Sequence, residues 1–338
     1  MKQLLFTLLT FILLLTAVSC EEEVKEGKRK KKVGLVQSAP YELLVVCDKE
    51  WYGSGQGEQF RNFANTLMLG MPQDEPVFKV LCINHAGFNR TYSTFGCIMF
   101  VNFGNDYPQE EVLIARDQYA RPQVCVTFNA PNSQGINHLI ETQGQKVLDL
   151  LTDNEMSRSI SLLKKEYSAV VDKNARKMFG CSWHMPSQIN LIKTGEEFFW
   201  ASSPDNTFNA CMYSYPWESN DTFTKKYFCH KRDSAMYFNI KGEEWGQHME
   251  TDTSTVTVRD RMINGSYVME VHGLWDMKND AMGGPFVSHV QLDSINKRII
   301  VTEGFVYLPN KQKKKQVHQL EAGLRTLKIL QKSPTKNK

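Results

Sequence analysis

The sequence predicts an α+β protein of two lobes, each a mostly antiparallel or mixed sheet with packed helices. Three observations carry that expectation. Short runs rich in β-branched and aromatic residues recur in both halves, and stretches with a helical apolar period lie between and after them. Few strands alternate strictly with helices, which argues against a doubly wound parallel sheet. The third is composition: 41% hydrophobic and 11% aromatic residues in 338 supply one large or two modest cores.

The first strand is read at 41–47, followed by the loop Gly53-Ser54-Gly55-Gln56-Gly57 and a helix at 58–69 with Phe60, Phe63, Ala64 and Leu67 on one face. The prolines of Met71-Pro72-Gln73-Asp74-Glu75-Pro76 end that helix, because proline lacks an amide donor and clashes with the preceding turn. Strands follow at 78–84 and 96–103, then a short helix at 109–118 and a strand at 123–129. A helix from 133 carries Ile136, Leu139, Ile140, Val147, Leu148 and Leu151, and a charged helical pattern at 155–178 connects the halves. The second half opens with a hairpin, 188–193 and 197–203, around Thr194-Gly195-Glu196. A strand at 209–215, a helix at 221–239 capped by Asp221 or Thr222, strands at 267–275, 286–292 and 298–308, and a basic helix at about 314–330 complete the list. The similar make-up of the halves suggests an ancient duplication, although no fixed-period repeat accompanies it.

Cys20 ends an apolar run at 4–18, with Lys2 before it, and Ala17-Val18-Ser19-Cys20 reads as a lipoprotein signal. The run is shorter than the roughly 20 residues of a membrane-spanning helix. An ordinary secretory signal is the alternative, since Ala17 stands where bacterial lipoproteins usually carry Leu. At about 0.8 kcal/mol per buried methylene, two or three acyl chains such as palmitate on Cys20 would hold the protein on a membrane. The expected location is the cell envelope, lipid-anchored to the outer membrane. Glu21, Glu22 and Glu23 resemble an export tag for the outer face, so surface exposure is a further expectation. The basic block Lys28-Arg29-Lys30-Lys31-Lys32 reads as a solvated spacer, with contact to anionic head groups as the alternative.

The domain plan is therefore a signal peptide at 1–19, lipidated Cys20 and a disordered charged linker at 20–38, and an N-terminal lobe at 39–153. A connecting helix at 154–180, a C-terminal lobe at 181–330 and a disordered tail at 331–338 follow. The net charge of +3 is concentrated in the terminal segments and leaves no footprint for nucleic acid. Seven cysteines remain beyond Cys20, and those in runs such as Leu43-Leu44-Val45-Val46-Cys47 are expected as mostly free, buried thiols with at most one or two bridges.

Several motifs together resemble an uncharacterised family of Bacteroidota lipoproteins, a domain of unknown function. They are the lipoprotein start, Pro72-Gln73-Asp74-Glu75-Pro76 before a strand, and Ala120-Arg121-Pro122-Gln123 leading into Val124-Cys125-Val126. Gly273-Leu274-Trp275-Asp276-Met277, followed by Met282-Gly283-Gly284-Pro285-Phe286, completes the set. The resemblance implies an envelope location and transfers no site residues.

Candidate chemistry is concentrated in the second lobe. Alternation along 267–276 places Tyr267, Met269, Val271 and Trp275 on one strand face and Glu270, His272 and Asp276 on the other. Glu303 shares a face with Ile299, Val301, Phe305 and Tyr307, an apolar setting that would raise its pKa if buried. Glu270, His272, Asp276 and Glu303 are the acid/base candidates for hydrolysis, with a solvated sheet face as the plainer reading. Trp275, Gly283, Gly284 and Phe286 are candidates for a ligand rim, with a tight connection between buried aromatics as the plainer reading. The Gly53–Gly57 loop suits a surface turn better than an anion site, because it lacks the lysine and hydroxyl of a P-loop. Cys181, His184, Cys229 and His230 have ligand-like spacing, but adjacent helical residues diverge by about 100°, so no metal is assigned. Asp233-Ser234-Ala235 and Asp293-Ser294-Ile295 resemble an O-glycosylation motif of exported proteins. The expected function is a non-enzymatic, cofactor-free binding or interaction module meeting an envelope protein or glycan, with an envelope hydrolase as the alternative.

Overall fold

A computed structural model describes residues 33–330. The signal at 1–19, Cys20, the linker up to residue 32 and the tail at 331–338 lie outside the described residues.

The N-terminal lobe contains β1 (Gly34–Leu35), β2 (Glu42–Val46), α1 (Lys49–Gly53), α2 (Glu58–Ala64), β3 (Lys79–Ile83), β4 (Cys97–Phe103), β5 (Glu111–Arg116), β6 (Ala120–Arg121), β7 (Val124–Ala130) and α3 (Ser133–Leu163). Its main sheet has the order β3-β2-β4-β7-β5 and is mixed: three pairings are parallel and edge strand β5 is antiparallel to β7. The expected helix at 109–118 is thus strand β5. Its Glu111-Val112-Leu113-Ile114-Ala115-Arg116 run satisfies its backbone along the free edge of β7, where β-branched residues suit the pleat. Helix α2 stops at Ala64, five residues before the expected end, because Thr66 and Val77 already pair backbone groups across the proline-bounded loop. The core holds Leu43, Val45, Phe60, Phe128 and Ile136, each contributing about 1.5–3 kcal/mol by leaving water.

Helix α3 runs unbroken for 31 residues, so the expected division between 153 and 154 falls inside one helix. The connecting segment breaks only after it. Ser168 accepts from the Val171 amide and starts the six-residue α4 (Ala169–Asn174), and a π-helical turn at Ala175–Phe179 ends on Gly180 at φ 63°.

The C-terminal lobe contains β8 (Cys181–Ser182), β9 (Leu191–Gly195), β10 (Phe198–Ser202), β11 (Phe208–Pro216), α5 (Lys225–Asn239), β12 (Met249–Ile263), β13 (Ser266–Met277), β14 (Gly283–Asp293), β15 (Arg298–Val306), α6 (Lys314–Leu324) and β16 (Lys328–Ile329). Seven of its strands form one antiparallel sheet, β12-β13-β14-β15-β11-β10-β9. The expected hairpin is present, with Glu197 at φ 46° in its turn. Strand β12, absent from the sequence reading, is the sheet's edge, and of its last five residues Arg259, Asp260 and Met262 are exposed while Arg261 and Ile263 are half-buried. The cap of α5 is Thr224, accepting from the Tyr227 amide at 3.3 Å, because residues 220–223 form a 3-10 turn. One sheet face packs on α6 through Met212, Val287, Ile300 and Leu320, and the other packs on α5 through Phe228, Met236, Phe286 and Val301.

The two lobes meet at α6. Glu75 is fully buried, and its carboxylate accepts from the Lys313 and Lys314 amides at 2.9 Å, placing a negative charge on the N-terminus of α6. The acid between the two prolines at 72 and 76 is therefore a cap supplied from the other lobe.

Candidate functional site

Of the four acid/base candidates the structure brings Glu270 and His272 together and separates the other two from them. Glu270 and His272 of β13 face α6, while Glu303 of β15 faces α5, on the opposite side of the sheet. Asp276 is exposed at the strand end. A cleft that joins Glu270 to Glu303 does not exist, which corrects the expected hydrolytic constellation.

Glu303 is buried, but its setting is not the apolar one expected. Arg232 of α5 grips it with two bonds, Nε to Oε2 at 2.9 Å and Nη2 to Oε1 at 2.8 Å, and the Ser288 hydroxyl donates to Oε2 at 2.7 Å. Arg232 also donates to Thr251 Oγ1 at 2.8 Å and stands 4.1 Å over the Phe286 ring. Neither side chain of the pair is accessible, so this is a structural tie between α5, β12 and β15.

Around Glu270 the groups are more numerous. Arg261 stands at 3.4 Å, Arg325 at 3.5 Å, His272 at 3.3 Å and His289 at 3.6 Å from its oxygens. Burial opposes the charge of Glu270, but the His272 and His289 contacts override it and hold the carboxyl far below the usual range. Both ring nitrogens of His289 are buried without a hydrogen bond, beside Glu270, Arg325 and His272. Burial lowers the His289 pKa from its ordinary 6.5. Below 6.5 the unfolded chain takes a proton that the folded imidazole refuses, so stability is complete above 6.5 and falls as pH drops toward the folded value. Urea midpoints measured from pH 7.5 to 5 should decline for the natural protein and decline less for His289→Asn.

Trp275 and Phe286 are 1% exposed, so they form no rim. Gly283 and Gly284 sit at the start of β14, and a Cβ on Gly284 would lie 2.0 Å from the Val306 carbonyl oxygen. These residues are a close-packing device. In the Gly53–Gly57 loop the amides of Ser54, Gln56 and Glu58 are spent on Trp51 O, Ser54 Oγ and Gly55 O, which leaves no anion cradle of these donors. Cys181 and Cys229 face opposite cores, and among the described residues no group of three His, Cys, Asp or Glu could hold a metal ion. In the two glycosylation-like triplets, Asp233 accepts from the Thr251 amide and hydroxyl, and Asp293 pairs with Arg298 at 3.0 Å.

What sequence reasoning missed is a groove of about 760 Å³ between the lobes. Its apolar lining includes Pro40, Val77, Leu162, Leu163, Pro186 and Ala322, and Lys79, Lys165, Lys314 and Lys315 stand around it. Both glutamates of the lining are engaged: Glu42 pairs with Lys79 at 3.1 Å and Glu166 accepts from Ser187 at 2.9 Å. Lys165 and Lys315 form no ion pair among the described residues, so the groove carries unbalanced positive charge. At one wall Tyr41 stacks on His318, rings 3.5 Å apart and 3° from parallel. Tyr41 holds φ at 62°, a region unfavourable to a bulky side chain, and its amide is fixed by Glu155 Oε2 at 2.9 Å. His318 contacts Val77 O at 3.1 Å and Glu321 at 3.2 Å, so this wall of the groove is tied to its neighbours. The only sequence signal was Pro40 before Tyr41 and the paired prolines around Glu75.

A second surface feature lies at the last turn of α5 and just beyond it, where Tyr237, Phe238 and Trp245 are 50%, 69% and 101% exposed.

Residues 168–326 match the family model of a domain of unknown function, DUF4837, and residues 37–164 match that of another, DUF8532. No match is found among curated proteins. Among solved structures, the Saccharomyces cerevisiae Ran-binding protein Mog1p is similar at 9% identity and a TM-score of 0.31, covering 45% of this chain and 92% of that one. A Bacteroides thetaiotaomicron protein is similar at 15% identity and a TM-score of 0.20, covering 45% of this chain and 46% of that one. Likenesses at this level carry no functional argument.

Proposed function

We propose that the protein is a non-enzymatic binding module, held on the outer membrane of a Bacteroidota-type cell envelope by lipid on Cys20, whose ligand seat is the groove between the lobes. One observation carries the binding reading: a concave, mainly apolar groove of about 760 Å³ whose lysines outnumber its engaged glutamates. That size falls within the roughly 300–1,000 Å³ of ordinary ligand sites. An apolar floor under a cationic rim suits a ligand with a hydrocarbon part and an anionic end. The hydrolase alternative loses its support with the separation of Glu270 from Glu303.

The test is thermal unfolding of the full chain with oleate and, separately, with oleyl alcohol, at concentrations below micelle formation. Oleate should raise the melting temperature by several degrees and the neutral alcohol by clearly less. Equal shifts would remove the role of the lysines, and no shift with either would remove the groove as the seat. A second reading places a partner protein or glycan on the exposed Tyr237, Phe238 and Trp245, as rigid aromatic anchors do at interfaces. Capture of envelope material that is lost on Trp245→Ala, with oleate binding unchanged, would favour it.

A further inference from the structure

Cys47 and Cys82 place their sulfurs 3.5 Å apart on neighbouring strands of the N-terminal sheet, and both are free thiols. Cys47 is fully buried, one residue beyond the end of β2, and Cys82 lies in β3 with part of its surface open to solvent. The other five described cysteines are buried. From these positions we infer that Cys47 and Cys82 form a redox-active pair that closes to an intrachain disulfide, with the accessible Cys82 attacking first and the buried Cys47 resolving.

The chemistry needs a disulfide-bearing oxidant, small-molecule or protein. The Cys82 thiolate attacks one sulfur of that donor and expels a thiolate, leaving a mixed disulfide on Cys82. Cys47 then gives up its proton, attacks the Cys82 sulfur and expels the second donor thiolate. Two thiols are oxidised by two electrons, and one donor disulfide is reduced to two thiols.

Local electrostatics agree with that division of labour. The hydrogen bond between the two sulfurs and the nearby Lys49 pull the Cys82 thiol down, against the effect of burial. The same bond, with burial, pushes Cys47 far up. A lowered, accessible thiol is the attacking member of such pairs. Closing the sulfurs to about 2.05 Å requires an approach of about 1.5 Å. Cys47 follows the last residue of β2 and its amide still donates to Ile83 O at 3.0 Å, so the shift falls at the very end of the β2–β3 pairing, just before α1.

The closed loop would span 47–82 and so include Glu75, which caps α6, and Val77, which lines the groove. This inference stands on the cysteine geometry and does not depend on what the groove binds.

The experiment incubates the full chain with oxidised glutathione, alkylates remaining thiols after unfolding, and maps the peptides by mass spectrometry. The expected product is a Cys47–Cys82 linkage within one chain, with Cys97, Cys125, Cys181, Cys211 and Cys229 alkylated. Cys47→Ser should instead accumulate glutathione on Cys82, removable by dithiothreitol, while Cys82→Ser should leave Cys47 unmodified. Both thiols fully alkylated in the natural protein, or glutathione retained on its Cys82 without transfer to Cys47, would overturn the proposal. If either variant fails to fold, the natural protein's peptide map decides alone.

Discussion

Glu303→Gln is expected to destabilise the protein by about 3–5 kcal/mol, the usual cost of leaving one member of a buried ion pair without its partner. Arg232 would remain with its guanidinium fully enclosed between α5 and the sheet, facing Phe286, Thr251 and an amide that cannot neutralise it. Chemical denaturation of the single variant should show this loss. Arg232→Met combined with Glu303→Leu should recover much of it, because an apolar pair of similar volume avoids the desolvation of both charges. If the single and double variants were equally unstable, the pair would be holding α5 in place in some way other than charge neutralisation.

Gly284→Ala is expected to cost about 3 kcal/mol, at the upper end for overpacking. The added methyl would stand 2.0 Å from the Val306 carbonyl oxygen and 3.2 Å from Trp275 Nε1, and the first of these is backbone, so no rotamer change relieves it. Gly273, which opposes Phe286 on the neighbouring strand, is bounded by that residue's ring at 2.9 Å. Urea unfolding should report the loss, with Gly55→Ala, whose added Cβ has open space, nearly silent.

Much of the C-terminal sheet was legible because strand alternation is local. The pattern placed Met269, Val271 and Trp275 on one face of β13 and Glu270 and His272 on the other, and the structure keeps that division. The face of Glu303 was legible too. Its partner was not, since Arg232 is 71 residues earlier and arrives from a helix whose placement the sequence does not state. Strand β5 was misread because an edge strand has one pairing neighbour and no strict alternation of burial. Strand β12 was missed because its threonines and charges resemble a loop until β13 pairs with it. The groove was invisible for a related reason: Tyr41, Leu162, Pro186 and His318 belong to four separate segments that topology alone brings together. Glu75 read as part of a helix-breaking loop, and only the position of α6 makes it a cap.

The most direct test of the groove as the ligand seat is calorimetric titration of oleate into the natural protein and into Leu162→Glu. Leu162 is 54% exposed and lines the groove, so a carboxylate there would add negative charge beside the apolar floor without disturbing a core. The account predicts one saturable site in the natural protein and at least a tenfold weaker affinity in the variant, with unchanged unfolding in the absence of ligand. Equal affinity in the two proteins would contradict it.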